Sequence, residues 1–145
     1  MALLGTVARA WGFTGLVPRA IVDTNAFGNL LVEDVEGQVW RICPEELSCK
    51  VVAASRSELA RLRASSDFQE DWSMERLVAV GARSLGSLSS GRCFCLKIPA
   101  ALGGGYERDN MGTISVAELI AASGDMAQQI KDVPAGTKVE LKVIA

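Results

Sequence analysis

Apolar positions recur first at helical spacing. Leu3, Leu4, Val7, Ala8 and Trp11 share one side of a helix that Gly12 or Gly15 ends. Pro18 opens an extended segment at residues 19–23, and from residue 24 the pattern becomes that of strands. Leu30, Leu31 and Val32 lie in one strand (29–33), Asp34-Val35-Glu36-Gly37 makes a turn, and Val39, Trp40 and Ile42 lie in the return strand (38–42). Cys43 and Pro44 stop it, and Cys49, Val51 and Val52 predict a third antiparallel strand at 47–53.

Ser55 or Ser57 caps a helix running to Ala64, with Leu59, Ala60 and Leu62 inward. Residues 65–72 are polar, with Phe68 and Trp72 interleaved, and 73–85 predict a further helix with Met74, Leu77, Val78 and Leu85 toward the core. A Gly/Ser loop delivers the chain into a strand at 92–98, which Pro99 stops because it has no N–H to give. Residues 103–105, three glycines, permit a tight reversal or a close backbone approach. Residues 106–112 read as an exposed polar loop, and Thr113-Ile114 as a short extended piece. Ser115 and Glu118 form a capping box, and the helix it starts sets Val116, Leu119, Ile120, Ser123, Ala127 and Ile130 on one face. Gly124 weakens that helix by about 1 kcal/mol relative to alanine. Val139, Leu141 and Val143 alternate with Lys138, Glu140 and Lys142, which predicts a final half-buried strand at 137–143.

This order predicts an α+β fold: a mainly antiparallel sheet with helices packed on one side. The 145 residues suit a single domain, 1–145, with 1–15 as a helix leading into it. At 49% hydrophobic the chain can fill a core, which excludes intrinsic disorder. No apolar run reaches the length of a membrane span, so no membrane partner is expected. The start, MALLGTVARAWGF, lacks a basic leader, and the cytoplasm is the expected location.

Charge and chemistry narrow the function. The net charge of −2 offers no basic excess to hold a phosphate backbone, so nucleic acid is not an expected partner. There is no histidine, which removes the commonest general base, the usual Ser and Cys triads and the commonest zinc ligand. The chain is therefore read as a non-enzyme with no catalytic residues. Cys43 and Cys49 are spaced C-x5-C, and Cys93 and Cys95 C-x-C; neither spacing fits a zinc knuckle. All four read as reduced, small buried hydrophobes, with no metal and no cofactor. The glycine loop lacks the order of a P-loop or of G-x-G-x-x-G. A small-ligand or phosphate-binding module at residues 103–105 is the alternative reading.

The carboxylates are the remaining candidates. Asp67, Glu70, Asp71 and Glu75 are interleaved with Trp72, and on one continuous helix Asp67, Asp71 and Glu75 would share a face. Such a surface suits a basic partner, with carboxylates steering association and an aromatic anchoring it. Asp34 and Glu36 at the hairpin turn, and Tyr106, Glu107 and Asp109 after the glycines, complete the set of contact candidates.

The stretch GRCFCLKIPAALGGGY (91–106), followed by D-N, I-S-V-A-E-L-I and G-D-M-A-Q-Q-I, resembles the C-terminal immunity-domain family of bacterial type VI secretion immunity proteins. Ala26-Phe27-Gly28-Asn29-Leu30 and Gly37-Gln38-Val39-Trp40 look like the family's paired N-terminal strands, and the resemblance covers roughly residues 15–145. Phe27, Gly28, Pro99, Leu102, Gly103 and Gly104 are its fold signature. The resemblance implies a non-enzymatic antitoxin that binds the C-terminal toxic domain of a cognate effector and occludes its active site. A nuclease or a nucleotide-modifying toxin is compatible with it.

Overall fold

The computed structural model describes residues 2–134 and 136–140. The first apolar stripe forms α1 (Ala2–Trp11), closed by a 3-10 turn at Gly12–Thr14. β1 (Pro18–Thr24), β2 (Leu30–Asp34), β3 (Val39–Cys43) and β4 (Ser48–Ala53) follow as an antiparallel sheet in chain order. Leu31 pairs with Arg41 and Val32 with Trp40 across the hairpin, and Ile42 pairs with Cys49. A 3-10 turn, Pro44–Glu46, joins β3 to β4. Three short helices come next: α2 (Arg56–Arg63), α3 (Ser66–Ser73) and α4 (Glu75–Leu85). Ser55 and Ser65 cap the first two, each hydroxyl accepting from an N–H three residues on. β5 (Arg92–Leu96) pairs antiparallel with β6 (Met111–Ser115), and α5 (Val116–Ile130) starts at the Ser115 cap.

The α+β class with an antiparallel sheet is as the sequence predicts. Helices occupy both faces of that sheet, because β2 is apolar on both. Leu30, Val32 and Ile42 pack with Val7, Trp11 and Ile120 of α1 and α5. Leu31, Val39 and Ala53 pack with Leu59, Phe68 and Trp72 of α2 and α3. A separate core forms where Phe27 meets Phe94, ring centroids 5.7 Å apart, with Leu96 and Met111 and the inner side of α4.

Two glycines set how closely these parts approach. At Gly124 a Cβ would lie 2.6 Å from both the Cβ and the carbonyl oxygen of Ala10, so only glycine lets α5 come this near α1. Trp11 Nε1 donates to the Ile120 carbonyl across the same seam, at 3.2 Å. Gly28, at φ +71, joins the two sheets: a Cβ there would lie 2.8 Å from Leu119 Cδ2 and 3.0 Å from Cys93 Sγ.

Several local expectations change. Ser73 ends α3, and Met74 takes a left-handed conformation (φ 48), so Asp67, Asp71 and Glu75 do not share one helix face. At the break the Asn25 side-chain amide donates to the Trp72 carbonyl at 2.9 Å, an acceptor that α4 does not use. Ala8, Ala60 and Leu85 are exposed, and Met111, expected in an exposed loop, is buried in the second core. Residues 137–140 form no strand and Val139 is exposed, while Leu141 and Val143 lie outside the described residues.

Candidate functional site

An open cleft of about 1110 Å³ lies between two walls. Residues of α3, the Met74 break and the start of α4 form one wall, and the 3-10 turn with Tyr106 forms the other. Glu45, Glu46, Glu70, Asp71 and Glu75 line it, against Arg41 and Arg76. Across the break at Met74, Glu75 lines the same cleft as Glu70 and Asp71.

A chain of polar contacts forms the inner end. Glu45 is only 4% exposed. The Asn29 amide donates to its Oε1 at 2.9 Å and its Oε2 at 3.1 Å, and the Cys43 thiol donates to Oε2 at 3.1 Å. Asn29 Oδ1 accepts from Arg41 Nη2 at 2.9 Å and Nε at 3.1 Å. Arg41 Nη1 pairs with Asp71, and the guanidinium lies 5.2 Å from the centroid of the Trp72 ring. The hairpin therefore positions Asn29 and Arg41, the 3-10 turn positions Glu45, and α3 supplies Asp71 and Trp72. At the other wall Tyr106 Oη donates to Glu46 Oε1 at 3.2 Å.

The electrostatics follow from burial. Burial raises the Glu45 carboxyl above its ordinary value; the Asn29 and Cys43 hydrogen bonds and Arg41 act the other way. Burial and the adjacent Glu45 push the Cys43 thiol up to about 12, and burial pushes Cys93 to about 12, so neither is a ready nucleophile. Tyr106 is raised by burial and by Glu45 and Glu46. All four cysteines are free thiols, and no cluster of carboxylates and thiols among the described residues could hold a metal ion.

The contact candidates from the sequence divide. Glu70, Asp71, Glu75 and Tyr106 meet in the cleft. Asp67 is exposed on the first turn of α3, outside the lining. Trp72 is half-buried, stacked on Phe68 and packed on the sheet. Glu107 and Asp109 line a different depression, shared with Arg83, Lys97 and Arg108. Glu36 is exposed at the hairpin, but Asp34 is 6% exposed and faces inward. Its Oδ1 accepts from the Glu36 and Gln38 N–H groups at 2.9 Å and its Oδ2 from Trp40 Nε1 at 2.9 Å. The Trp40 bond, above all, holds its carboxyl below the usual value, so Asp34 closes the turn instead of offering a charge. Sequence reasoning does not place Asn29, Arg41, Cys43 or Glu45 in a contact site: it weighs Cys43 only as a metal ligand, quotes Asn29 only in the family-like 26–30 segment and counts Glu45 only among the acidic residues that follow the hairpin. The one available signal was a carboxylate directly after Pro44, inside an apolar hairpin exit.

The glycine loop is a corner held by its own groups. The N–H groups of Leu102, Gly103 and Gly104 donate to Pro99, Ala100 and Pro99 carbonyls at 2.9–3.0 Å. Asn110 donates to the Ile98 and Gly105 carbonyls at 2.9 and 2.8 Å and accepts from the Ile98 N–H at 3.0 Å. A Cβ on Gly104 would fall 1.8 Å from the Ile98 oxygen, so this glycine answers to backbone packing. Pro99 and Phe27 are buried.

Comparison with known proteins places these features in context. The crystal structure of Atu4351 from Agrobacterium tumefaciens is similar in fold, with a TM-score of 0.56 at 16% identity. The likeness covers 85% of this chain and 62% of that one, so the chain spans about three fifths of that protein's length. No curated protein matches. Residues 53–127, just over half of the chain, match a family described as T6SS immunity protein Tdi1, C-terminal. The match starts at the end of β4 and ends within α5, so it takes in the 91–106 stretch and leaves out Phe27 and Gly28. By that match the chain belongs to the C-terminal family of type VI secretion immunity protein Tdi1.

Proposed function

We propose that this protein is an immunity protein that binds a cognate type VI effector and neutralises it by covering the active site of its toxic domain. Membership of an immunity family carries this reading. The acidic cleft supports the choice of surface, because a toxin that handles nucleic acid or nucleotides presents a basic site that carboxylates can occupy. Glu70, Asp71, Glu75 and Tyr106 make the contact, with Trp72 as the packed support behind Arg41. Residues 1–145 act as one binding unit in this reading. The cleft supports it, since Arg41 and Glu45 precede the family-matched stretch while Glu70 and Tyr106 lie inside it. The protein works by binding and performs no chemistry of its own, in the cytoplasm where the toxin acts. No helix among the described residues is long and apolar enough to cross a membrane.

Co-purification with the toxic domain of its cognate effector tests the proposal. A complex that survives gel filtration is expected. Separate elution of two folded proteins at micromolar concentration would overturn it.

A further inference from the structure

The inner end of the cleft holds a buried carboxyl group that is hydrogen-bonded but has no ion pair among the described residues. Glu45 is 4% exposed, yet its carboxylate meets only neutral donors, the Asn29 amide and the Cys43 thiol. Arg41 is the nearby cation, and its guanidinium is turned away. Its Nε and Nη2 go to Asn29 Oδ1 and its Nη1 to Asp71, with the Trp72 ring beside it. Among the described residues no Lys or Arg forms an ion pair with Glu45. A buried carboxylate without a countercharge is costly, and such groups are found where a ligand supplies the missing charge. The approach to it is acidic on balance: Glu46, Glu70, Asp71 and Glu75 line the same cleft against Arg41 and Arg76, and the Tyr106 ring edges it. The lining also includes Met74 and Leu77, apolar surface on which an alkyl stem can lie.

We infer that the cleft is a socket for one basic side chain, an arginine or lysine of the effector, with Glu45 at its inner end as the countercharge and Glu46 and Glu75 at its mouth. This deepens the immunity reading and rests on it. The cation is organic: no group of three or more described His, Cys, Asp or Glu side chains is arranged to hold a metal. Both oxygens of Glu45 remain fixed by Asn29, so a guanidinium entering the cleft meets a carboxylate already oriented for it. Glu45 is therefore a positioning and specificity-determining residue of the interface, lying behind the rim residues that steer the approach.

The probe is N-acetyl-arginine methylamide, titrated into the full chain and followed by amide chemical shifts, with the norleucine analogue as the neutral control. Saturable shifts are expected around Arg41, Cys43–Glu46, Glu75 and Tyr106 with the arginine probe alone. Glu45→Gln, which keeps the shape of the side chain, weakens the affinity about tenfold, as does the exposed Glu46→Gln combined with Glu75→Gln. Asp125→Asn, on the far face of α5, leaves it unchanged. Equal shifts with the neutral analogue, saturation by magnesium ion at the same residues, or no saturable shift would each overturn the socket. The immunity reading would then still stand or fall on co-purification, which does not depend on this probe.

Discussion

The Asn29 carboxamide holds two charged residues apart and in place: its nitrogen donates to both oxygens of Glu45 at 2.9 and 3.1 Å, and its oxygen takes two N–H groups of Arg41. Asn29→Ala removes all four contacts and leaves a buried carboxylate without its amide donor. The expected loss of stability is about 2–4 kcal/mol, read from the midpoint of urea unfolding. A loss below about 0.5 kcal/mol would mean that the network contributes little to the fold.

Glu45 gives stability a pH dependence of defined sign. Burial raises its folded pKa above the ordinary 4.5, so the folded protein holds this proton more tightly than the unfolded chain. Its contribution is fully present below 4.5 and is lost as pH rises through the raised folded value. Glu45→Gln removes that slope: the variant gains stability relative to wild type as pH climbs from 4.5 through the raised folded value. Unfolding free energies measured across that range check this, and parallel curves would contradict it. Asp34 acts oppositely. Its carboxyl is held low by Trp40, so its contribution is present above its ordinary 3.8 and is lost as pH falls below it. Asp34→Asn therefore flattens only the acid limb.

Neighbouring glycines of the corner respond differently to the same methyl group. Gly103 has φ +94 and open space around it, so Gly103→Ala costs about 1–2 kcal/mol for the left-handed backbone alone. In Gly104→Ala the new Cβ meets the Ile98 carbonyl at 1.8 Å, and the Ile98–Asn110 clasp must open. A loss above about 3 kcal/mol is expected, or failure to fold. Thermal unfolding of the pair distinguishes this from a corner that simply needs flexible residues, which would give equal losses.

Gly124 tests the α1–α5 seam. Alanine gains about 1 kcal/mol in helix propensity, but its Cβ meets the Ala10 backbone at 2.6 Å, and overpacking of that kind costs about 1–3 kcal/mol. A net loss of about 1 kcal/mol is predicted by urea unfolding. A net gain would show that the helices separate freely.

The sequence announced most of the frame, because the signals were local. Asp34 to Gly37 marked the turn, Ser55 and Ser115 marked the caps, and the Leu30–Val32 run marked the central strand. The cleft was less legible. Asn29, Arg41 and Glu45 have no periodicity in common, and they meet only because the hairpin pairs in this register and the Pro44–Glu46 turn folds back. Asp34 looked like a surface charge because its partners, two backbone N–H groups and an indole, carry no sequence signal. The Met74 break was hidden because methionine favours helix, and the side chain that meets it, Asn25, lies 49 residues upstream. Gly124, read as a weak point in its helix, is instead a contact.

The rim charges should govern association. Glu70→Arg with Glu75→Arg reverses two exposed carboxylates at the mouth and leaves the Arg41–Asp71 pair intact. Against the toxic domain of the cognate effector, the on-rate is expected to fall about tenfold or more at low salt, with a smaller difference at high salt. Surface-immobilised kinetics at two ionic strengths measure it. An unchanged on-rate would place the contact elsewhere on the molecule.

Growth protection tests the central claim most directly. Cells expressing that toxic domain are complemented with wild type, with Glu70→Arg/Glu75→Arg, or with empty vector. Wild type is predicted to restore growth and the double variant, equally expressed and folded, to fail as the empty vector does. Growth arrest in the presence of wild type would contradict an immunity function for this chain, and full protection by the double variant would contradict the acidic cleft as the surface that delivers it.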